Sequence, residues 1–122
     1  MHKILVIDDD DNILNVIRIL LELNDFIVST LHKWDECYNK VLDFNPDLIL
    51  LDISLDGENG KSICAQLKSN NSTKHMVIIL FLALRYFDKI TTESEANHFI
   101  GKPFELKDLL EKINYSINKL SA

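Results

Sequence analysis

The chain has 122 residues and a formal net charge of −6, with 47% hydrophobic and 26% charged residues. This length suits one domain, so we expect a single domain over residues 1–122. The apolar content excludes a mainly disordered chain, and the acidic balance argues against binding nucleic acid through its phosphates. The longest apolar run is too short to cross a bilayer, and Cys37 and Cys64 look like buried reduced thiols. We therefore expect a cytoplasmic protein that neither spans a membrane nor binds nucleic acid directly.

Short β-rich apolar runs alternate along the chain with stretches whose apolar residues follow helical spacing. The predicted strands cover residues 3–7, 26–29, 47–51, 76–82 and 98–101. The predicted helices cover 11–23, a stretch around 34–42, a stretch around 63–67, the weakly marked 86–94, and 106–120. This order predicts an α/β fold with a five-stranded parallel sheet and about five helices on its two faces.

Four consecutive aspartates, residues 8–11, follow the first predicted strand. Helix capping accounts for one or two acids at such a position, but not for four. Two like charges ~4 Å apart repel by ~4 kcal/mol at an effective dielectric constant of ~20, so the cluster calls for a cation. Carboxylate oxygens suit a hard divalent ion, which favours Mg²⁺ binding.

Two further charged residues follow predicted strands that end at the same edge of the sheet. Asp52 follows the third strand, and it would lie ~5 Å from the first strand's end if the two strands are neighbours. A carboxylate beside a bound metal can act as a nucleophile toward phosphorus. Lys102 follows the fifth strand and could pair with that carboxylate and its phosphoryl group. The plainer alternatives are that Asp52 is an ordinary loop aspartate and that Lys102 is a solvated surface lysine. Pro103, which follows Lys102, raises the chance of a cis peptide bond.

The ordered set of Asp8-Asp9, Asp52 and Lys102-Pro103 resembles the receiver domain of bacterial two-component response regulators, the CheY-like family. The segments 46–53 and 101–104 are typical of that family, and the resemblance covers nearly the whole chain. It implies a doubly wound, flavodoxin-like sheet with strand order 2-1-3-4-5.

The resemblance also implies roles for these residues. Asp52 would accept a phosphoryl group from a sensor histidine kinase or a phosphotransfer protein in a Mg²⁺-dependent reaction, and Lys102 would contact the phosphoryl oxygens. The protein would then be a signalling phosphoacceptor that assists only its own phosphorylation and dephosphorylation, and not an enzyme. The implied Mg²⁺ ligands are Asp8 (mainly through water), Asp9, Asp52 and the backbone carbonyl of Ser54.

Two positions depart from the family pattern in the region that normally reports phosphorylation. Leu82, followed by Ala83, stands where the family usually carries Ser or Thr followed by Ala. Losing one charge-assisted hydrogen bond to the phosphoryl group costs ~1.5–3 kcal/mol if nothing replaces it. Phe99 stands where the family often has Tyr, and it has no hydroxyl to bond. We therefore expect an atypical output switch at these residues.

Several alternatives remain open at this level. A downstream partner would bind the face formed by the predicted helix 86–94, the strand 98–101 and the helix 106–120, with the chain a monomer or weak homodimer. Leu82 and Phe99 favour a second reading, an interaction module on the same fold that works without phosphorylation. A third alternative is a small phosphatase that uses Asp8 and Asp10. It is disfavoured because no Thr follows at the expected offset and the chain leaves no room for a cap domain. A flavin binder is disfavoured because the aspartates after the first strand would repel a phosphate.

Overall fold

The structure, a computed structural model, describes residues 1–32, 37–52, 57–83 and 96–120. Strands and helices alternate along these ranges as β1 (Lys3–Ile7), α1 (Asp11–Leu23), β2 (Ile27–Leu31), α2 (Cys37–Phe44), β3 (Leu48–Asp52), α3 (Gly57–Ser69), β4 (Val77–Ala83), β5 (His98–Lys102) and α4 (Leu106–Leu120). The described ranges hold four helices, one fewer than the predicted five. The helix predicted over 86–94 lies outside the described residues.

All five strands run parallel in one sheet, and their order is β2-β1-β3-β4-β5. The predicted doubly wound sheet and its strand order are confirmed. The predicted bounds of the second strand, 26–29, are wrong, because β2 covers Ile27–Leu31. Phe26 belongs to the preceding turn: its N–H donates to the carbonyl of Leu21 at 3.1 Å, and its side chain is buried.

The central strands lie between two apolar layers, which explains why their sequences lack polar alternation. Along β4, alternate side chains point to opposite faces of the sheet. Val77, Ile79 and Phe81 pack with α1 and α4, and the face they form is called here the α1/α4 face. Ile78, Leu80 and Leu82 pack with α2 and α3, on the α2/α3 face. Helices therefore cover both faces, as the sequence predicts.

The helix α1 begins at one of the four aspartates and ends at a turn that suits its residues. The carboxylate of Asp10 accepts hydrogen bonds from the N–H groups of Asn12 and Ile13, so Asp10 is the N-cap. At the other end Asn24 donates from Nδ2 to the carbonyl of Leu20 at 2.7 Å. Asp25 follows with a φ of 69°, in the left-handed region that aspartate tolerates better than most residues. The Asp10 cap lies between β1 and α1, so it defines where the chain that leaves β1 becomes helical.

Neither cysteine forms a disulfide bond within the described ranges, and both are buried on the α2/α3 face, as predicted. Burial raises the pKa of the Cys37 thiol to about 11, so this group stays protonated at neutral pH. Among the helices in the described ranges, none has the length and apolar character needed to cross a bilayer.

Candidate functional site

Three charged residues lie together at the carboxyl edge of the sheet. Asp8 directly follows β1, Asp52 is the last residue of β3, and Lys102 is the last residue of β5. Because the strands are parallel and in register, these positions reach the same edge of the sheet. In open α/β sheets this edge is where ligands bind.

The ammonium group of Lys102 contacts both aspartates. Its Nζ lies 3.0 Å from Oδ2 of Asp52 and 3.5 Å from Oδ2 of Asp8. Both aspartates are 1% exposed, whereas the Lys102 side chain is 22% exposed. Charged groups this well removed from water interact strongly, since solvent screens them little. The one positive charge of Lys102 balances only one of the two buried carboxylates.

The Asp8 carboxylate is only partly satisfied by hydrogen bonds. Its Oδ1 accepts the N–H of Asp10 at 2.9 Å, while its Oδ2 is buried and has no hydrogen-bond donor in the part of the chain that the structure describes. Burial raises the pKa of Asp8 to about 6, and the neighbouring negative charge of Asp52 adds to the rise. The hydrogen bond from the Asp10 amide and the charge of Lys102 lower this pKa and offset part of the rise. The Asp8 carboxylate therefore gains from a further cation.

The arrangement of carboxylates fits a divalent metal ion. Asp8, Asp9 and Asp52 each offer one carboxylate oxygen, and these oxygens lie within 4.8 Å of one another. Asp9 is exposed, so the set opens to solvent on one side. An all-oxygen set with few carboxylates, open to water and substrate oxygens, suits Mg²⁺. The buried Oδ2 of Asp8, which accepts no hydrogen bond from the described residues, has lone pairs left for such an ion. Ser54, the fourth predicted ligand, lies outside the described residues.

The predicted switch positions lie next to this site and pack in the apolar α2/α3 layer. Leu82 is fully buried on the α2/α3 face, and Phe99 packs against the same layer while partly exposed. Ala83 ends β4 and aligns with Lys102 across the strand pair. Leu82 therefore brings a buried hydrocarbon side chain to the position that the family resemblance assigns to a hydroxyl residue.

An aromatic pair beside Lys102 was missed by the sequence reasoning. The rings of Phe81 and Phe104 stack with centroids 5.1 Å apart and planes 20° apart. The Lys102 Nζ lies over the Phe81 ring, 5.9 Å from its centroid. The peptide bond between Lys102 and Pro103 is cis. The strand period could have placed Phe81 on the face opposite Leu82, but no sequence signal pairs it with Phe104.

A groove with a volume of about 590 Å³ adjoins the site between α1 and the segment that joins β5 to α4. Its apolar lining includes Ile13, Val16, Phe104 and Leu106, and Lys102 also lines it. Val16 is 48% exposed and Leu106 is 41% exposed. The sequence reasoning did not predict this groove. The available signal was an apolar residue of α1, Val16, that lies outside the buried face of the helix.

A model of the response regulator receiver domain family matches residues 4–114 of the chain. The response regulator ArlR of Staphylococcus saprophyticus is 32% identical over 120 residues, which are 98% of this chain and 54% of that protein. ArlR of Staphylococcus aureus strain Mu50 is 30% identical over 93% of this chain and 51% of its own length. The chain thus spans about half the length of the curated relatives it matches.

Solved structures show the same fold. A response regulator receiver domain protein from Clostridium thermocellum matches with a TM-score of 0.86 and 28% identity, covering 99% of this chain and 98% of that one. The receiver domain of a response regulator from Bermanella marisrubri matches with a TM-score of 0.83 and 26% identity, over 94% and 97% of the two chains.

Proposed function

The chain belongs to the response regulator receiver domain family, and from this premise we propose that Asp52 accepts a phosphoryl group from a histidine kinase or a histidine phosphotransfer protein. Receiver domains are the signalling phosphoacceptors of two-component systems and not classical enzymes. The observation that carries the proposal is the contact of Lys102 with two buried carboxylates at the carboxyl edge of the sheet.

In the proposed transfer, a carboxylate oxygen of Asp52 attacks phosphorus while the P–N bond of the donor phosphohistidine breaks. The imidazole nitrogen takes the electron pair of that bond, and an acyl phosphate forms on Asp52. Such a transfer needs in-line positioning and neutralisation of the phosphoryl oxygens, and little other chemistry from the protein. Lys102, 3.0 Å from Oδ2 of Asp52, has the charge and the reach to contact those oxygens.

We propose that Asp8, Asp9 and Asp52 hold Mg²⁺, with the Ser54 carbonyl as the further ligand that the family resemblance implies. When bound, the ion would neutralise negative charge on the phosphoryl oxygens. The acidic cluster supports this proposal because it gathers more negative charge than Lys102 alone balances. Hydrolysis would later return Asp52 to its carboxylate, as water attacks phosphorus and inorganic phosphate leaves.

The apolar groove beside Lys102 supports a protein as the phosphoryl donor. A helix of the donor that carries the phosphohistidine would pack apolar side chains against Val16 and Leu106 while its histidine faces Asp52. We expect Val16→Asp to slow transfer from a histidine phosphotransfer protein that phosphorylates the wild type. Phosphorylation by a small acyl phosphate should be unchanged, because that donor needs no groove.

We also propose where a downstream partner binds. A downstream partner would use β5, α4 and the residues between β4 and β5, with residues 1–122 acting as one domain that is monomeric or weakly dimeric. A module that works without phosphorylation is not favoured, because it would have no use for two buried carboxylates around one lysine, an arrangement that costs free energy to bury.

The proposal is tested by intact mass after incubation with acetyl phosphate and Mg²⁺. We expect one phosphoryl adduct on the wild type and none on Asp52→Asn. Asp43→Asn, which removes an exposed acid of α2, makes the same change of charge away from the site and should keep the adduct. An adduct that persists in Asp52→Asn, or a wild type that takes no phosphoryl group, would overturn the proposal.

A further inference from the structure

We propose that Phe81 is a positioning residue for the phosphoryl transfer, because its ring face holds the Lys102 ammonium between Asp8 and Asp52. This inference deepens the proposed function and rests on it, since it assumes that Lys102 contacts the phosphoryl oxygens. Phe81 touches neither the donor nor the phosphoryl group and acts only through Lys102.

Among the described residues, the ammonium has three neighbours that attract it. Two are the carboxylates of Asp8 and Asp52, and the third is the face of the Phe81 ring, 5.9 Å from Nζ to the centroid. An aromatic face carries negative charge density and attracts a cation within about 6 Å of the centroid. A lysine side chain is otherwise a flexible stem that samples many rotamers. The ring therefore selects the Lys102 rotamers that keep Nζ at the site.

The ring is itself held in a fixed orientation. Phe81 is fully buried on the α1/α4 face, and its ring stacks on Phe104 at 5.1 Å between centroids. Phe81 also aligns with Asp52 across the β3–β4 pair, so the ring and the acceptor carboxylate belong to neighbouring positions of the sheet. A side chain this well packed presents the same surface to Lys102 throughout.

The residue after Phe81 on β4, Leu82, explains why the position of the Lys102 ammonium matters. Leu82 points to the α2/α3 face and offers no hydroxyl to a phosphoryl group. The phosphoryl contacts that the described residues can supply from a side chain then depend more heavily on Lys102. A residue that fixes the Lys102 ammonium gains importance for the same reason.

The first test compares the rates of phosphorylation by acetyl phosphate in Mg²⁺. Phe81→Leu keeps an apolar side chain and removes the ring face, so we expect the rate to fall about fivefold. The dissociation constant for Mg²⁺ should change less than about twofold, because the three carboxylates are untouched. The matched control is Phe104→Leu, which removes the stacking partner but keeps the Phe81 ring beside Lys102, so it should slow the reaction less than Phe81→Leu does.

The second test does not depend on phosphorylation activity. In the wild type, the Lys102 methylene protons next to Nζ should be shifted upfield in the NMR spectrum by the Phe81 ring current. The signals are assigned by their absence in Lys102→Arg. They should stay upfield in Phe104→Leu and return to ordinary positions in Phe81→Leu.

Equal slowing in Phe81→Leu and Phe104→Leu would point to a packing role and overturn the inference. Lys102 methylene protons at ordinary positions in the wild type would also overturn it, because the contact would then be absent in solution. A wild type that takes no phosphoryl group refutes the proposed function instead, and the NMR shift still reports whether the ring holds Lys102.

Discussion

The carboxyl edge of the sheet and the end of β4 are neighbours, yet their chemistry differs sharply. At the edge, Asp8 and Asp52 are buried around Lys102, and Asp9 completes a set of carboxylate oxygens suited to a metal. One strand position away, Leu82 lies in a wholly apolar layer with Phe99 packed against it. Charged groups are buried where they have partners, and hydrocarbon fills the predicted switch position on β4.

Under the proposed function, this difference separates acceptance of a phosphoryl group from its readout. Acceptance needs a nucleophile and positive charge, and the structure brings Asp52 and Lys102 to within 3.0 Å of each other. Readout by a hydroxyl on β4 is not possible with Leu82 in that place. We therefore expect the two regions to respond differently to substitution, and four predictions follow from the largest effect to the smallest.

Removing the Lys102 charge should give the largest loss of stability. Lys102→Met leaves two buried carboxylates without their cation, so we expect the free energy of unfolding to fall by about 3 kcal/mol at pH 8 without Mg²⁺. Mg²⁺ should restore part of the loss. The measurement is urea unfolding with and without the ion. Lys107→Met, which breaks the exposed pair with Glu111, is the control and should cost at most about 0.5 kcal/mol. Similar losses in the two variants would contradict the prediction.

The raised pKa of Asp8 should make the metal-free protein less stable as the pH rises. The folded state has a pKa of about 6 at Asp8 against an ordinary value of 3.8, so it binds more protons than the unfolded state between these values. The stabilising contribution is present below about pH 4 and is lost as the pH rises through 6, by up to about 3 kcal/mol.

Urea unfolding of wild type and Asp8→Asn across this pH range measures that effect. Asp8→Asn cannot titrate, so its stability relative to the wild type should increase from pH 4 to pH 6 and then level off. Saturating Mg²⁺ favours the ionised carboxylate and should reduce the difference. Parallel pH curves for the two metal-free proteins would show that Asp8 titrates normally.

Restoring a hydroxyl on β4 should cost stability before phosphorylation. Leu82 is fully buried among apolar side chains, so Leu82→Thr should lower the free energy of unfolding by about 2 kcal/mol. Phosphorylation of Asp52 should recover part of this loss if the new hydroxyl reaches the phosphoryl group. Leu80→Thr, on the same face and equally buried, should lose as much and recover nothing. Equal recovery in both variants would rule out a direct contact.

Adding a hydroxyl to the other switch position should have the smallest effect. Phe99 is partly exposed, so the hydroxyl of Phe99→Tyr can reach water, and we expect a change within about 0.5 kcal/mol. Thermal unfolding of the metal-free protein measures it. A loss as large as that of Leu82→Thr would mean that the Phe99 ring edge is enclosed, and the contrast between the two positions would disappear.

The sequence by itself determined the element order and the position of the charged residues at strand ends. Apolar period and helix spacing are local properties, so they predicted five strands and the helices α1 and α4 closely. The strand order came from the resemblance to a family and not from the pattern. The second strand was misplaced because Phe26, apolar and β-prone, is held in a turn by its bond to Leu21.

Only the tertiary structure decided how the four aspartates divide their tasks and what surrounds Lys102. Asp10 caps α1, Asp8 loses contact with water, and Asp9 stays exposed, although the four residues are chemically identical. The stack of Phe81 on Phe104 joins residues far apart in the chain. Burial, long-range contacts and the electrostatic environment of a carboxylate arise only when distant segments meet, and no local pattern of residue types specifies them.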